Sequence, residues 1–461
     1  MMSHGPWKLS NWKYSPVDAR RLSKLNIRMS YALLCLLTVI LGLVSLLYFN
    51  VNSLGQQRLV LNISCIQNGQ NEHNSTPART FLWNDTRLNI LHMKQFHFDT
   101  RFKNPCWFET LISSDPYQRN IYSSYSPAVK RMLEKMTLLW RERLPHNVSS
   151  SYRLRCLPYF YIIGQPKSGS TDLFWRISRH PEVVTPPIKE LHWWSRGRQG
   201  RRVGYSDLIP LEDYIDIFDK VAFLIESRSS SRGSSSRPFP LITGEASVSL
   251  FWDNPDWYNY PENQHFLEPQ YTNPDYIHHL LPDVKLILIV RNPSDRLYSD
   301  YLYFHLANKS AEDFHNAVVQ TTNLYSNCSR MRSVRECVYD EQLAITAKVR
   351  LRLGLYSVYL DDWLRVFEGD QILILRLEDY AVNPEHTMKN IFKFLKLRDL
   401  SSEEMKFVLE KPIENQRSIS NRQVGNMLLE TRQLLDQYFT PFNRHFAELV
   451  NDQRFLWKEH R

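Results

Sequence analysis

Lys167, Ser168, Gly169, Ser170 and Thr171 follow a short apolar run, Phe160–Gly164, and lead into a stretch of helical character. A buried strand, a tight loop and a helix start together form a concave set of backbone N–H groups at the positive end of a helix dipole, which favours an anion. Lys167 adds a point charge, while Ser168, Ser170 and Thr171 add hydroxyl donors. This is the chemistry of a phosphate cradle. Nucleotide triphosphatases build theirs with Lys after the second Gly of G-x-x-x-x-G-K-[ST], but here Lys167 precedes Gly169. Their second element is an apolar strand that supplies an Asp to magnesium, whereas the strand KLILIV leads into Arg291. A basic residue there meets phosphate directly. Ser299 lies about two turns along the helix that follows and can turn back toward the strand end. Arg291 and Ser299 then form a pair suited to a terminal phosphate; the plainer role for Arg291 is a structural salt bridge. The ligand expected from these residues carries two separate phosphate groups, one at each strand end.

Positioning these groups requires a parallel sheet. Strand candidates are Phe160–Ile163, Val183–Val184, Ile242, Val284–Val290 and Gln371–Leu375, and helical stretches lie between them, notably 311–326 and 356–367. Near-continuous apolar strands alternating with helices indicate an α/β fold, a P-loop-like parallel sheet flanked by helices on both faces. Ahead of it, residues 125–145 carry apolar groups at helical spacing. The Ser/Arg run 227–237 reads as a mobile surface loop, or as a basic lid over the substrate.

The rest of the chain constrains the compartment. Net charge is +9, but the first thirty residues account for +5 of it, so bulk charge gives no argument for nucleic acid. Residues 31–49 are uncharged and apolar, just long enough to cross a bilayer. The basic flank precedes them, which places residues 1–30 in the cytosol and the remainder in the lumen. The alternative, a cleaved signal peptide, fits poorly with a span this long behind a thirty-residue tail. We therefore expect a cytosolic tail (1–30), a transmembrane signal-anchor (31–49), a lumenal stem (50–95) and a catalytic domain (96–461). Six sequons, at Asn62, Asn74, Asn84, Asn147, Asn308 and Asn327, suit a lumenal glycoprotein. Of the six cysteines, Cys35 lies in the span; Cys328–Cys337 brackets a short loop and Cys106–Cys156 is the next expected pair, which leaves Cys65 over. The absence of C-x-x-C or clustered Cys and His argues against a zinc site.

PKSGST followed by RNPSDRLYS resembles the two donor-binding motifs of Golgi carbohydrate sulfotransferases, which use 3′-phosphoadenosine 5′-phosphosulfate (PAPS). The resemblance runs through most of residues 100–461. It implies a sulfotransferase fold, the 5′-phosphosulfate at Lys167, Ser168, Gly169, Ser170 and Thr171, and the 3′-phosphate at Arg291 and Ser299. Arg417, Arg422 and Gly425 align with a third donor-contacting region, unless they form a solvated loop. Glu190, in Lys189-Glu190-Leu191-His192, matches the family's general base, with His192 as a rival base or an orienting partner and a plain Lys189–Glu190 surface pair as the alternative. Trp193 and Trp194 then stack on sugar rings, or else belong to the core. Glu245 in GEAS matches an acceptor-side element, or is structural.

Sulfuryl transfer neutralises less charge than phosphoryl transfer, so the chemistry asks for in-line positioning, a stabilised leaving phosphate and a base rather than a metal. Lys167 would take the leaving-group role. IKELHWW, GEAS, NKSAEDFH and LILRLEDY look most like family members that add a second sulfate to chondroitin sulfate, at the 6-hydroxyl of 4-sulfated N-acetylgalactosamine. The related member has Cys and Thr at the places of Ser168 and Ser170, and Pro at that of Leu191, which puts the base loop and the acceptor in question. The expected acceptor is chondroitin or dermatan sulfate, with Arg196, Arg198, Arg201 and Arg202 near its sulfates. Two competing readings are a heparan sulfate O-sulfotransferase, which shares K-E-x-H, and a catalytically silent glycosaminoglycan-binding membrane protein. A homodimer is compatible with all of these.

Overall fold

The apolar runs become strands because both of their faces are covered. The chain forms β1 (Cys106–Thr110), β2 (Tyr152–Cys156), β3 (Phe160–Gly164), β4 (Gly244–Glu245), β5 (Lys285–Val290) and β6 (Ile372–Arg376). The last four make a parallel sheet in the order β4-β3-β5-β6. Alternate side chains of β3 and β5 enter opposite cores, as a period of two dictates. Phe160, Ile162, Ile287 and Ile289 pack with Leu173, Phe174 and Ile177 on one face. Tyr161, Ile163, Leu286, Leu288 and Val290 pack with Tyr359, Leu360 and Trp363 on the other.

This computed structural model describes residues 89–458 apart from 112, 114, 125, 144–151, 200–208, 231–236, 306–308 and 413–416. All of them lie within the compact unit Phe81–Arg461. The tail, the apolar span, residues 50–88, the middle of the Ser/Arg run, Arg201 and Arg202 lie outside the described residues, as do Asn62, Asn74, Asn84, Asn147 and Asn308. Among the described residues no helix is long and apolar enough to cross a membrane. Ile90 is buried and Phe96 stacks on Trp107 at 4.3 Å, so packing on the body begins ahead of residue 96. Asn327 is exposed near the end of the helix Ala311–Ser329.

The structure differs from the sequence expectation in four places, the first being the Ser/Arg run, whose residues 227–230 end the helix Asp219–Ser230 instead of forming loop. Val183–Val184 and Ile242 form no strand; Val183 and Ile242 meet in a single parallel bridge. The helix expected over 356–367 closes at Leu364. β1 and β2, an antiparallel pair, were not anticipated. YRLRC hides its strand character because Arg153 and Arg155 are buried, paired with Asp219 at 3.1 and 2.9 Å and, for Arg155, with Asp216 at 2.6 Å. Cys106 and Cys156 face each other across this pair and are disulfide-bonded, and Cys328 bonds Cys337, as the sequence led us to expect.

Candidate active site

Lys167 and its neighbours in the cradle follow the carboxyl end of β3, and Arg291 follows that of β5. The chain leaves β3 for β4 on one side of it and β5 on the other, and open α/β sheets bind ligands at such a switch point. After β3, the backbone N–H of Gln165 donates to the Ile289 carbonyl at 2.8 Å, tying the cradle loop to β5. Lys167 and Gly169 then take positive φ, 65° and 84°. A Cβ on Gly169 would lie 2.8 Å from the Leu377 Cδ1 as well as straining the backbone, so this turn selects glycine. The helix Ser170–Ile177 starts with no side-chain cap, which leaves its first N–H groups for a ligand.

A cavity of about 770 Å³ opens on this helix start, within the range of small-molecule sites. Lys167, Gly169, Ser170, Thr171, Arg291 and Ser299 line it, and so do Glu190 and Arg417. Both predicted phosphate ends and the predicted base therefore share one chamber. Asn292 caps the helix Pro293–Phe304 by accepting from the Ser294 and Asp295 N–H groups, and the Tyr356 hydroxyl donates to the Arg291 carbonyl at 2.9 Å. These bonds fix the turn, while the Arg291 guanidinium forms no ion pair among the described residues. Arg417 extends over the Tyr298 ring at 5.4 Å.

Two donor-side expectations need correction. Ser168 is fully buried beneath the loop and does not face the cavity. Its hydroxyl has no hydrogen-bond partner among the described residues. Arg422 does not line the cavity either; its Nε donates to the Arg417 carbonyl at 2.9 Å, so it holds the loop that presents Arg417.

The base loop is strained. Glu190 and His192 have φ of 64° and 53°, in the left-handed region that non-glycine residues enter at a cost and that clusters at functional sites. Leu191 between them is fully buried and anchors the turn. Glu190 alone of this loop reaches the cavity. Lys189 Nζ pairs with its Oε1, and His192 Nε2 lies 3.8 Å from its Oε2. His192 is held in turn by a 2.6 Å bond between its Nδ1 and the Ser249 hydroxyl. Burial raises the Glu190 carboxyl, but the His192 hydrogen bond and the Lys189 ammonium outweigh it and hold it down at about 2. The group facing the cavity is thus a carboxylate. Lys189 and His192 stand behind it, so Lys189 is not placed to meet acceptor and His192 is placed as the orienting partner.

On the acceptor side, Trp193, Trp194 and Glu245 take the structural role that the sequence left open for them. Trp193 and Trp194 are 2% and 0% exposed. Trp193 stacks on Tyr214 at 4.9 Å, its indole donates to the Ile209 carbonyl, and the Trp194 indole donates to the Tyr161 hydroxyl. Rings satisfied this way on every side belong to the core. Glu245, in β4, is 1% exposed and lies under the base loop, with the Ser247 hydroxyl donating to it. Ser247 Oγ also accepts the His192 N–H at 2.8 Å, so Glu245 supports the loop and does not meet the acceptor. Of the four arginines expected near sulfates, Arg198 is buried with its guanidinium 4.0 Å from the Tyr276 ring centre, Arg196 is paired with Asp253, and Arg201 and Arg202 lie outside the described residues.

Burial pushes the Glu245 carboxyl up to about 7 against the opposing pull of Ser247 and Lys189. A carboxyl raised on folding gives stability that is complete below its ordinary value of 4.5 and is lost as the pH rises through about 7. Glu245→Gln keeps the shape without the titration. Its melting temperature should gain on the wild type from pH 5 to pH 8; a gap that does not change with pH would contradict this assignment.

Sequence reasoning missed Tyr303, Phe304, Leu377 and Tyr380, all on the cavity wall. Tyr303 was legible, since it lies one helical turn beyond Ser299 and so on the same face. Leu377 and Tyr380 arrive from a distant helix, and no local pattern marks them.

A sulfotransferase domain model matches residues 158–445. That is more than half of the chain and includes every cavity residue named above, so the chain belongs to the sulfotransferase domain family. The proteins most like it by sequence include carbohydrate sulfotransferase 15 of Mus musculus and of Homo sapiens. Each is 43% identical over 364 residues, 77% of this chain, and the chain spans 65% of their length. Heparan sulfate glucosamine 3-O-sulfotransferase 6 of Mus musculus is 27% identical over 199 residues, 40% of this chain and 52% of that protein. Among solved structures, a sulfotransferase from Alicyclobacillus acidocaldarius is 20% identical and covers 65% of this chain and 97% of its own, with a TM-score of 0.41.

Proposed function

We propose that this chain transfers a sulfuryl group from PAPS to the 6-hydroxyl of N-acetylgalactosamine 4-sulfate in chondroitin or dermatan sulfate, giving the 4,6-disulfated unit. The observation that carries the reading is one cavity holding a helix start without a side-chain cap beside Lys167, an Arg291 that forms no ion pair among the described residues, and an ionised carboxylate at Glu190. Two cationic ends suit the two phosphate groups of the donor. The acceptor oxygen attacks sulfur, the bond from sulfur to the phosphate oxygen breaks, and the hydroxyl proton passes to Glu190. Lys167 meets the charge that builds on the departing phosphate, and adenosine 3′,5′-bisphosphate (PAP) leaves. Arg291, Ser299 and Arg417 hold the rest of the donor, and Lys189 and His192 keep Glu190 aimed.

The choice of acceptor is supported by the stretches IKELHWW, GEAS and LILRLEDY and by the 43% identity to carbohydrate sulfotransferase 15. The apolar span 31–49 behind a basic tail and the sequons beyond it support a single-pass type II Golgi membrane protein with a lumenal catalytic domain. To test the acceptor, the full chain in detergent is given labelled PAPS with chondroitin 4-sulfate, unsulfated chondroitin or heparan sulfate. Label should enter chondroitin 4-sulfate well above the other two. Label entering only heparan sulfate would establish the competing acceptor.

A further inference from the structure

Lys167 presents a physical puzzle. Its ammonium is half-buried and forms no salt bridge among the described residues; burial, Arg291 and Arg350 act against its charge, while Asp300 and Glu190 favour it. What it does have is an aromatic face: the Tyr303 ring centre lies 3.5 Å from Nζ. That ring is 55% exposed and lines the cavity mouth. Phe304, 51% exposed, stands edge-on to it at 4.7 Å and carries the Arg350 guanidinium 4.0 Å from its own centre. Two neighbouring aromatic rings left in water at the rim of a cavity form an apolar surface, a feature that marks binding sites. They stand where the buried Trp193 and Trp194 cannot serve.

We propose that the Tyr303 ring is a seat used in turn by two occupants. Without donor it holds the Lys167 ammonium; with donor bound, Lys167 moves to the phosphate and the freed ring takes the apolar face of the acceptor sugar. This rests on the donor and acceptor reading above. A full negative charge outcompetes a ring quadrupole for an ammonium, so the donor draws Lys167 off and not the reverse. The vacated ring is large, flat and exposed, so a pyranose can stack there in the cavity that Glu190 also lines without rearranging the fold. Donor binding thereby prepares the acceptor site, and linkage requires that acceptor binding favour donor to the same degree.

The seat makes an unusual prediction for a residue on a site wall. Tyr303→Leu removes the contact that competes with the donor for Lys167, so PAP should bind about two- to fivefold more tightly than to wild type. Tyr303→Phe keeps the ring and should restore the wild-type affinity. Saturating PAP should tighten chondroitin 4-sulfate oligosaccharide binding to wild type, measured by calorimetry on the full chain, and should do so much less in Tyr303→Leu. If wild type binds PAP and Tyr303→Leu binds it equally or more weakly, the seat is overturned while the donor reading stands. If wild type does not bind PAP at all, the donor reading falls and this proposal with it.

Discussion

Replacing Glu190 with Gln should lower the turnover rate by about 10²- to 10⁴-fold while leaving PAP affinity nearly unchanged. The amide keeps the size of the side chain but cannot accept the sugar proton, and the cradle and Arg291 are untouched. Because Lys189 and His192 hold the carboxylate near 2, it is a weak base in the resting protein. The acceptor hydroxyl therefore yields its proton only as bonding to sulfur makes it acidic. The pH dependence follows in sign. A depressed carboxyl loses its charge only as the pH falls toward 2, so Glu190 contributes no acid limb to kcat/KM between pH 5 and 8. Initial rates with labelled donor and calorimetry with PAP check both halves. Unchanged turnover would remove Glu190 from the base role and return His192 as the candidate.

Lys167→Ala and Arg291→Ala should fail in different ways. In the proposed mechanism Lys167, at the helix start, meets the charge that develops on the leaving phosphate, and losing one such donor costs about 10²- to 10³-fold in kcat. Arg291 follows the end of β5 and is assigned in the same mechanism to the other phosphate, away from the bond that breaks. Deleting its charged hydrogen bonds should weaken PAP by about 10- to 100-fold and leave kcat at saturating donor within about tenfold of wild type. If both variants lower kcat equally without weakening PAP, the two-ended model of the donor is wrong.

The site was largely legible because its chemistry lies in short contiguous runs. FYIIG and KLILIV cannot cover both faces with water-facing groups, so they declare a buried parallel sheet. The Lys-Ser-Gly-Ser-Thr turn declares an anion site before any partner is known. What escaped depends on residues remote in sequence. β2 was hidden because the carboxylates that permit its buried arginines, Asp216 and Asp219, come some sixty residues later. Trp193 and Trp194 look alike whether they face a sugar or a core, and only Tyr214 and Tyr161 around them decide. GEAS alone leaves Glu245 either an acceptor contact or a structural residue, and its burial beneath the base loop decides for the second.

The position of the transferred sulfate tests the central claim most directly. Chondroitin 4-sulfate incubated with the full chain and ³⁵S-labelled PAPS is digested to disaccharides, and the labelled products are resolved. The account predicts label on the 6-oxygen of 4-sulfated N-acetylgalactosamine, lost in Glu190→Gln. Label on the uronic acid, or label that persists at the wild-type rate in Glu190→Gln, would contradict it.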